Sequence, residues 1–205
     1  MFPDVSNSAH IVSNVFLFVC GITVLLLVLV TSLMVYFVIK YNKSRNTIPV
    51  NIEGNTLLEI IWIVVPTLIV LAMFYYGWIG FKEMRTVPKD AMVVKVNGYM
   101  WSWLFEYANG KQSGILNLPA GKPVKLELSS RDVIHSFFIP AFRVKEDVVP
   151  GKGNYLWFKP LKFGSYDVFC AEYCGQKHYS MLTKVVVMPE EEFKTWYGRE
   201  EKKMK

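Results

Sequence analysis

Between Cys170 and Met181 two thiols, an imidazole and a thioether fall within one short segment, Cys170-Ala171-Glu172-Tyr173-Cys174-Gly175-Gln176-Lys177-His178-Tyr179-Ser180-Met181. A second imidazole, His135, lies upstream in Asp132-Val133-Ile134-His135-Ser136-Phe137. Soft sulfur donors mixed with imidazole select copper or zinc over magnesium or calcium. Two Cys and two His alone would suit tetrahedral zinc. Met181 favours copper, for which a thioether is a familiar weak ligand in electron carriers. A mononuclear blue-copper site uses one Cys, two His and a Met, and here one thiolate is left over. Two thiolates can instead bridge two copper ions, each completed by one His and one weaker donor, which spreads a single charge over both metals. Other readings stand beside this one. In an oxidising compartment Cys170 and Cys174 could pair as a disulfide, Met181 by itself would suit core packing, and His178 by itself a surface position. The remaining cysteine, Cys20, sits in an apolar run and is expected only to pack there.

The segment that carries these residues reads as β. Val93-Val94-Lys95-Val96, Val124 to Leu128, Tyr155 to Phe158, Gly164 to Phe169 and Thr183 to Val187 are short β-branched or aromatic runs. Gly121, Pro123, Pro150, Gly151, Gly153 and Pro160 punctuate them. Many short strands with such turns predict a sandwich or barrel. Pro189, at the first helical position, and Glu190, Glu191 and Glu192 predict a helix after the last strand.

The N-terminal part differs in kind. No Asp, Glu, Lys or Arg occurs from Val5 to Ile39 or from Ile60 to Phe81. Each run exceeds the ~20 helical residues that cross a hydrocarbon core of roughly 30 Å. Two membrane spans are therefore expected, over about 11–41 and 57–81. A cleavable signal peptide would need a basic start and an apolar run of about 7–15 residues, whereas Met1-Phe2-Pro3-Asp4 carries no base and the run is far longer. The loop between the spans holds Lys40, Lys43 and Arg45. The positive-inside rule puts this loop in the cytoplasm and both termini outside. Residues 1–81 are thus expected to form a helical hairpin in lipid and 82–205 an external domain.

The chain has 23 Lys and Arg against 17 Asp and Glu, a formal charge of +6. All but three of each sign lie after Phe81, mixed along the segment with no basic run interleaved with aromatics. Nucleic acid is therefore not an expected partner.

The segment from Cys170 to Met181 resembles the binuclear copper motif of cytochrome c oxidase subunit II. Asp132-Val133-Ile134-His135, Phe142-Arg143-Val144-Lys145-Glu146-Asp147-Val148-Val149-Pro150-Gly151, and Leu58-Glu59-Ile60-Ile61-Trp62 followed by Pro66 resemble that family's other signatures. The resemblance implies a cupredoxin-like Greek-key barrel on a two-helix transmembrane hairpin. It implies two copper ions held by His135, Cys170, Cys174, His178 and Met181, with the Glu172 backbone carbonyl, and a magnesium ion shared with subunit I through the Glu172 carboxylate. The haems would sit in subunit I, since this chain has three histidines.

The aromatic run Trp101-Ser102-Trp103-Leu104-Phe105-Glu106-Tyr107 resembles the family's stretch in which the first Trp receives electrons from cytochrome c. From composition alone such a run is a packing element. Met100 departs from the Gln found in many members. No Cys-x-x-Cys-His for attached haem occurs, so the expected donor, cytochrome c or a similar carrier, is a separate chain. Glu59 reads from its position equally as a helix-start charge or a functional carboxylate; the resemblance implies the mouth of a proton channel into subunit I. The implied activity is respiratory reduction of dioxygen to water with proton translocation, in a bacterial or archaeal plasma membrane. A copper-free quinol oxidase subunit is disfavoured by the intact sulfur and imidazole set. Nitrous oxide reductase lacks the hairpin, and a copper chaperone would want an exposed site.

Overall fold

The computed structural model describes residues 5–46, 48 and 53–199. They divide into two compact units. Residues 13–80 form one, while the chain up to Val12 and from Phe81 onward forms the other.

The helical unit is made of the central parts of α1 (Asn7–Lys40) and α2 (Thr56–Arg85). Both are long and apolar enough to cross a membrane, with mean hydropathy of 2.8 and 2.5 in their most apolar windows, where no residue is buried within the protein. Side chains that apolar and that exposed require a non-aqueous solvent. Phe18 meets Tyr76 edge to face at 5.0 Å. Pro66 lies inside α2, and beside it the Thr67 hydroxyl donates to the Ile63 carbonyl at 2.6 Å.

The second unit is a β-sandwich of two five-stranded sheets. One has the order β3 (Gln112–Ser113), β2 (Ser102–Tyr107), β1 (Met92–Tyr99), β5 (Val124–Ser130), β8 (Asn154–Phe158). The other runs β4 (Leu116–Pro119), β10 (Leu182–Met188), β9 (Gly164–Cys170), β6 (His135–Ile139), β7 (Val144–Val148). β1 pairs parallel with β5 and β4 with β10, and the other pairings are antiparallel. Alternate residues of the two inner faces, among them Val94, Val96, Phe105, Leu126, Phe137 and Val185, are fully buried and form one core. That alternation is what a face-to-face sheet pair requires.

The five sequence-predicted strand runs lie within β1, β5, β8, β9 and β10. The terminal helix α3 covers Glu190–Gly198, and Pro189 precedes it as the cap residue with extended backbone rather than occupying its first turn.

One assignment differs from expectation. The residues just before the first span belong with the sandwich, not with the hairpin to which composition alone assigns them. The Val5 carbonyl accepts from Leu161 N at 2.8 Å, and Asn7 N donates to the Lys159 carbonyl at 3.2 Å. The buried Ser6 hydroxyl donates to the Phe142 carbonyl at 3.0 Å and also caps α1 by accepting from Ala9 N at 3.1 Å. Backbone pairing of this kind leaves no hydropathy signal. Just after the second span the Arg85 guanidinium reaches Glu146 at 2.8 Å and the Tyr155 carbonyl at 3.0 Å, within the same unit.

Candidate metal centre

The potential ligands come from two antiparallel strands and the loop that follows one of them. Phe137 of β6 lies opposite Cys170 of β9. This register brings His135, at the start of β6, and Cys170, at the end of β9, to the same edge of the sheet. The loop is closed at both ends: Cys170 N donates to the Met181 carbonyl at 3.2 Å and Ala171 N to the Ser136 carbonyl at 2.9 Å. A single 3-10 turn at His178–Ser180 then points His178 back towards the cysteines, held by Met181 N donating to the His178 carbonyl at 3.1 Å.

The two sulfurs are 3.7 Å apart, and both cysteines are free thiols. Around them the donors fall into two similar halves. Cys170 Sγ lies 3.8 Å from His135 Nδ1 and donates to the Glu172 backbone carbonyl at 3.3 Å. Cys174 Sγ lies 3.5 Å from His178 Nδ1 and 3.7 Å from Met181 Sδ. His135 Nδ1 or Nε2 and the two sulfurs lie within 4.8 Å of one another, a spacing able to hold a metal ion. His135, Cys170, Cys174 and Met181 are buried, whereas His178 is half-buried and Glu172 exposed. Burial raises the Cys174 thiol well above its ordinary range, and the adjacent Cys170 thiol raises it further. A buried thiol pair beside two imidazoles suits a thiophilic cation, which binds sulfur as thiolate. The residues present therefore fit the copper that the sequence motif implies.

His135 is aligned by a carboxylate to which sequence reasoning assigned no role. Its Nε2 is 2.8 Å from Asp132 Oδ1, which leaves Nδ1 facing Cys170. Burial alone would raise the Asp132 carboxyl. Hydrogen bonds from Met100 N, from His135 and from Val133 N outweigh it and hold the carboxyl below its usual range. A carboxylate accepting the distal N–H of a ligand histidine is a common outer-shell device that fixes tautomer and ring orientation. The available signal was the Asp three residues before the His. Gly98 is a second residue not anticipated. A Cβ there would meet Trp103 at 3.0 Å and His135 Cδ2 at 3.2 Å, so β1 passes over the imidazole only because it lacks a side chain at this point.

Asp132→Asn keeps the shape but removes the charge that favours the imidazole N–H. Copper affinity is expected to fall by about 10–100-fold, measured by competition with a chelator. Unchanged affinity would reduce Asp132 to a turn residue.

Trp101 joins the site directly. Its indole N–H donates to the Cys174 carbonyl at 3.2 Å, and the Lys177 ammonium stands 5.9 Å from the ring centroid. Its neighbours in the aromatic run behave differently: Trp103 packs edge to face on Phe137 and His135, and Phe105 and Tyr107 are buried in the core. Glu59 is in the helical unit, exposed in the first turn of α2. Asn55 caps that helix, its Oδ1 accepting from Leu58 N at 3.1 Å. Glu59 Oε1 lies where a Cβ on Gly54 would come within 2.9 Å.

Fold and site together define a membrane-anchored, cupredoxin-like domain with a thiol–imidazole cluster able to hold a metal ion. The chain belongs to the cytochrome c oxidase subunit II family. The family profile for the "Cytochrome C oxidase subunit II, transmembrane domain" matches residues 2–78 and that for the "periplasmic domain" matches 113–188. Cytochrome c oxidase subunit 2 of Thermostichus vulcanus is 33% identical over 249 residues, covering 93% of this chain and 75% of that one. An alternative cytochrome c oxidase subunit 2 from Bradyrhizobium diazoefficiens is 36% identical over 159 residues, covering 62% of this chain and 57% of the relative. Among solved structures, the periplasmic domain of subunit II of cytochrome oxidase (CoxB) from Bradyrhizobium japonicum matches with a TM-score of 0.51 and 32% identity. That match covers 54% of this chain and 94% of that domain. The family is one of oxidoreductase subunits with a copper centre in a domain outside the membrane.

Proposed function

We propose that this chain is the electron-accepting subunit of a respiratory cytochrome c oxidase, taking electrons from cytochrome c at a binuclear copper centre. From there they pass to haem in subunit I, where dioxygen is reduced to water and protons are translocated. The observation that carries this reading is the division of the donor set into two halves, one imidazole and one weaker donor beside each of two sulfurs 3.7 Å apart. A single tetrahedral ion would be filled by the two thiolates and two imidazoles and would leave Met181 and the Glu172 carbonyl unused, whereas two ions would use all six donors. Bound copper would supply one-electron storage shared between two metals.

The protein's own contribution is rigidity and dryness. His135 is held by Asp132, Met181 is fully buried in the core, and the ligand loop is tied at both ends by backbone bonds. Ligands that cannot relax lower the reorganisation that accompanies electron arrival. Trp101 offers a route inward, from a half-buried ring through one hydrogen bond to the backbone of Cys174. The Glu172 carbonyl serves the copper side, and its exposed carboxylate is free to meet a magnesium ion shared with subunit I. The hairpin lies in lipid, with both termini and the β domain on the outer face of a bacterial or archaeal plasma membrane and the basic Lys40–Arg45 loop inside. Metal analysis of the purified oxidase tests the centre: two coppers in this subunit, with hyperfine structure from two equivalent nuclei, are expected. One zinc and no copper would refute the assignment.

Glu59 is proposed as the carboxylate at a proton inlet on the cytoplasmic side. Glu59→Ala should slow steady-state oxygen consumption and proton uptake by roughly tenfold, equivalent to about 1.4 kcal/mol in barrier. Reduction of copper by the donor should stay fast, and Glu59→Asp should be intermediate. Wild-type proton uptake in the Ala variant, measured in single turnover, would leave Glu59 as a helix-terminal charge.

A further inference from the structure

The contact with Asp132 fixes one atom of the His135 ring, Nε2. The χ2 torsion of histidine is soft and broad, and rotation about it swings Nδ1 while Nε2 stays near its carboxylate. The plane of the ring is therefore left to what packs on it. Two cross-strand partners pack there, since Gly98 of β1 lies opposite Trp103 of β2. Along β1 the inward positions before Gly98 are Val94 and Val96. At Gly98 the side chain is missing, and the Trp103 and His135 rings close on the space. A Cβ on Gly98 would fall 3.0 Å from Trp103 Cζ3, 3.2 Å from His135 Cδ2 and 3.5 Å from His135 Cγ. Cδ2 is the ring carbon across from Nδ1, so the wall backs the imidazole on the side away from Cys170.

Trp103 has little room to yield. It is buried, it meets His135 edge to face, and Phe137 stands nearly perpendicular to it with centroids 5.1 Å apart. Its indole N–H has no hydrogen-bond partner among the described residues. The side chain thus acts by shape, at the cost of a buried unpaired donor. His178 is held differently: it is half-buried, and its ring packs 5.7 Å from that of Tyr173, which is 75% exposed.

We infer that Trp103 is a positioning residue for the metal centre: with Gly98 opposite, it fixes the plane of the His135 imidazole and so the direction in which Nδ1 faces the sulfurs. The inference rests on the copper reading of the cluster and adds which buried residues set the geometry of one half. Disturbing this wall reorients a ligand without removing one. A packing role alone would lower stability and leave the metal's signature unchanged.

The test is a double-mutant cycle in the assembled oxidase, read by copper affinity, electron paramagnetic resonance and thermal stability. Gly98→Ala should displace the imidazole, because Phe137 holds Trp103 in place. The copper hyperfine pattern should change, and affinity, measured by competition with a chelator, should fall by about tenfold or more. Trp103→Phe shortens the ring, withdraws Cζ3 and should produce a smaller change of the same kind. Adding it to Gly98→Ala should return affinity and spectrum towards wild type, since the new methyl then fills space the indole has left. Trp103→Leu gives an independent reading, a gap beside His135 in place of a clash: the hyperfine pattern should broaden while copper stays bound. Additive losses in the double variant would overturn the inference. So would variants that melt earlier but keep the wild-type spectrum and affinity, and an unchanged spectrum in Trp103→Leu decides this even if Gly98→Ala fails to assemble. Wild-type oxidase without copper in this subunit would overturn the proposed function and this inference together, whereas a normal wild-type signal with no rescue strikes the inference by itself.

Discussion

Cys170→Ser or Cys174→Ser is expected to abolish the delocalised mixed-valence copper signal and to leave at most one metal ion bound. Each thiol faces one imidazole and one weaker donor and lies 3.7 Å from the other thiol. In the proposed binuclear centre, losing either would remove a shared bridge as well as a single ligand. A serine hydroxyl is a hard, weakly acidic donor that copper does not favour over thiolate. Outer-shell changes alone cost metal sites 10–100-fold in affinity, so loss of a bridging ligand should exceed about 100-fold. Turnover with an external donor should fall with it. Electron paramagnetic resonance and metal counting on the same preparation provide the check. Retention of two coppers with an unchanged spectrum in either variant would show that the thiols are not bridges. Met181→Leu offers a graded comparison: the thioether is a weak donor, so its loss should shift the reduction potential while both metals stay bound.

Trp101→Phe is expected to slow copper reduction by a protein donor by about tenfold or more, an increase of roughly 1.4 kcal/mol in barrier, while the copper spectrum is preserved. The substitution keeps an aromatic ring over Gly175, where the native indole lies 3.4 Å from the position of an added Cβ. It removes the N–H that donates to the Cys174 carbonyl. Packing is thereby nearly conserved and the hydrogen-bonded route is not. Unchanged stopped-flow rates, with a normal copper spectrum, would return Trp101 to the role of its buried neighbour Trp103.

The contrast between these two tryptophans marks a limit of sequence reading. In Trp101-Ser102-Trp103 both rings belong to one aromatic run, and nothing local separates the one that touches a ligand backbone from the one that fills the core. The start of the strand decides it. In β2 the inward positions are Trp103, Phe105 and Tyr107, and continued alternation would place Trp101 on the same face. Trp101 escapes it because β2 begins only at Ser102, a boundary that the aromatic run does not mark. β6 and β7 were harder still, because His-Ser-Phe-Phe-Ile starts with a buried polar pair and Val-Lys-Glu-Asp-Val has a charged centre.

What the chain determined by itself was whatever depends on near neighbours. Charge-free runs longer than a bilayer define two spans because lipid demands uninterrupted apolar helix. The twelve residues from Cys170 to Met181 carry four donor side chains in one loop, close enough for their spacing to be read without a fold. The tertiary structure decided what depends on residues far apart in sequence. The β6–β9 register sets His135 beside Cys170, 35 positions further along the chain. The turn before β6 aims Asp132 at His135 and at Met100 at once. Backbone pairing draws Val5 and Asn7 into the sandwich beside Lys159 and Leu161. Strand register and backbone hydrogen bonds are satisfied between segments, and no single segment's composition records which partner it will meet.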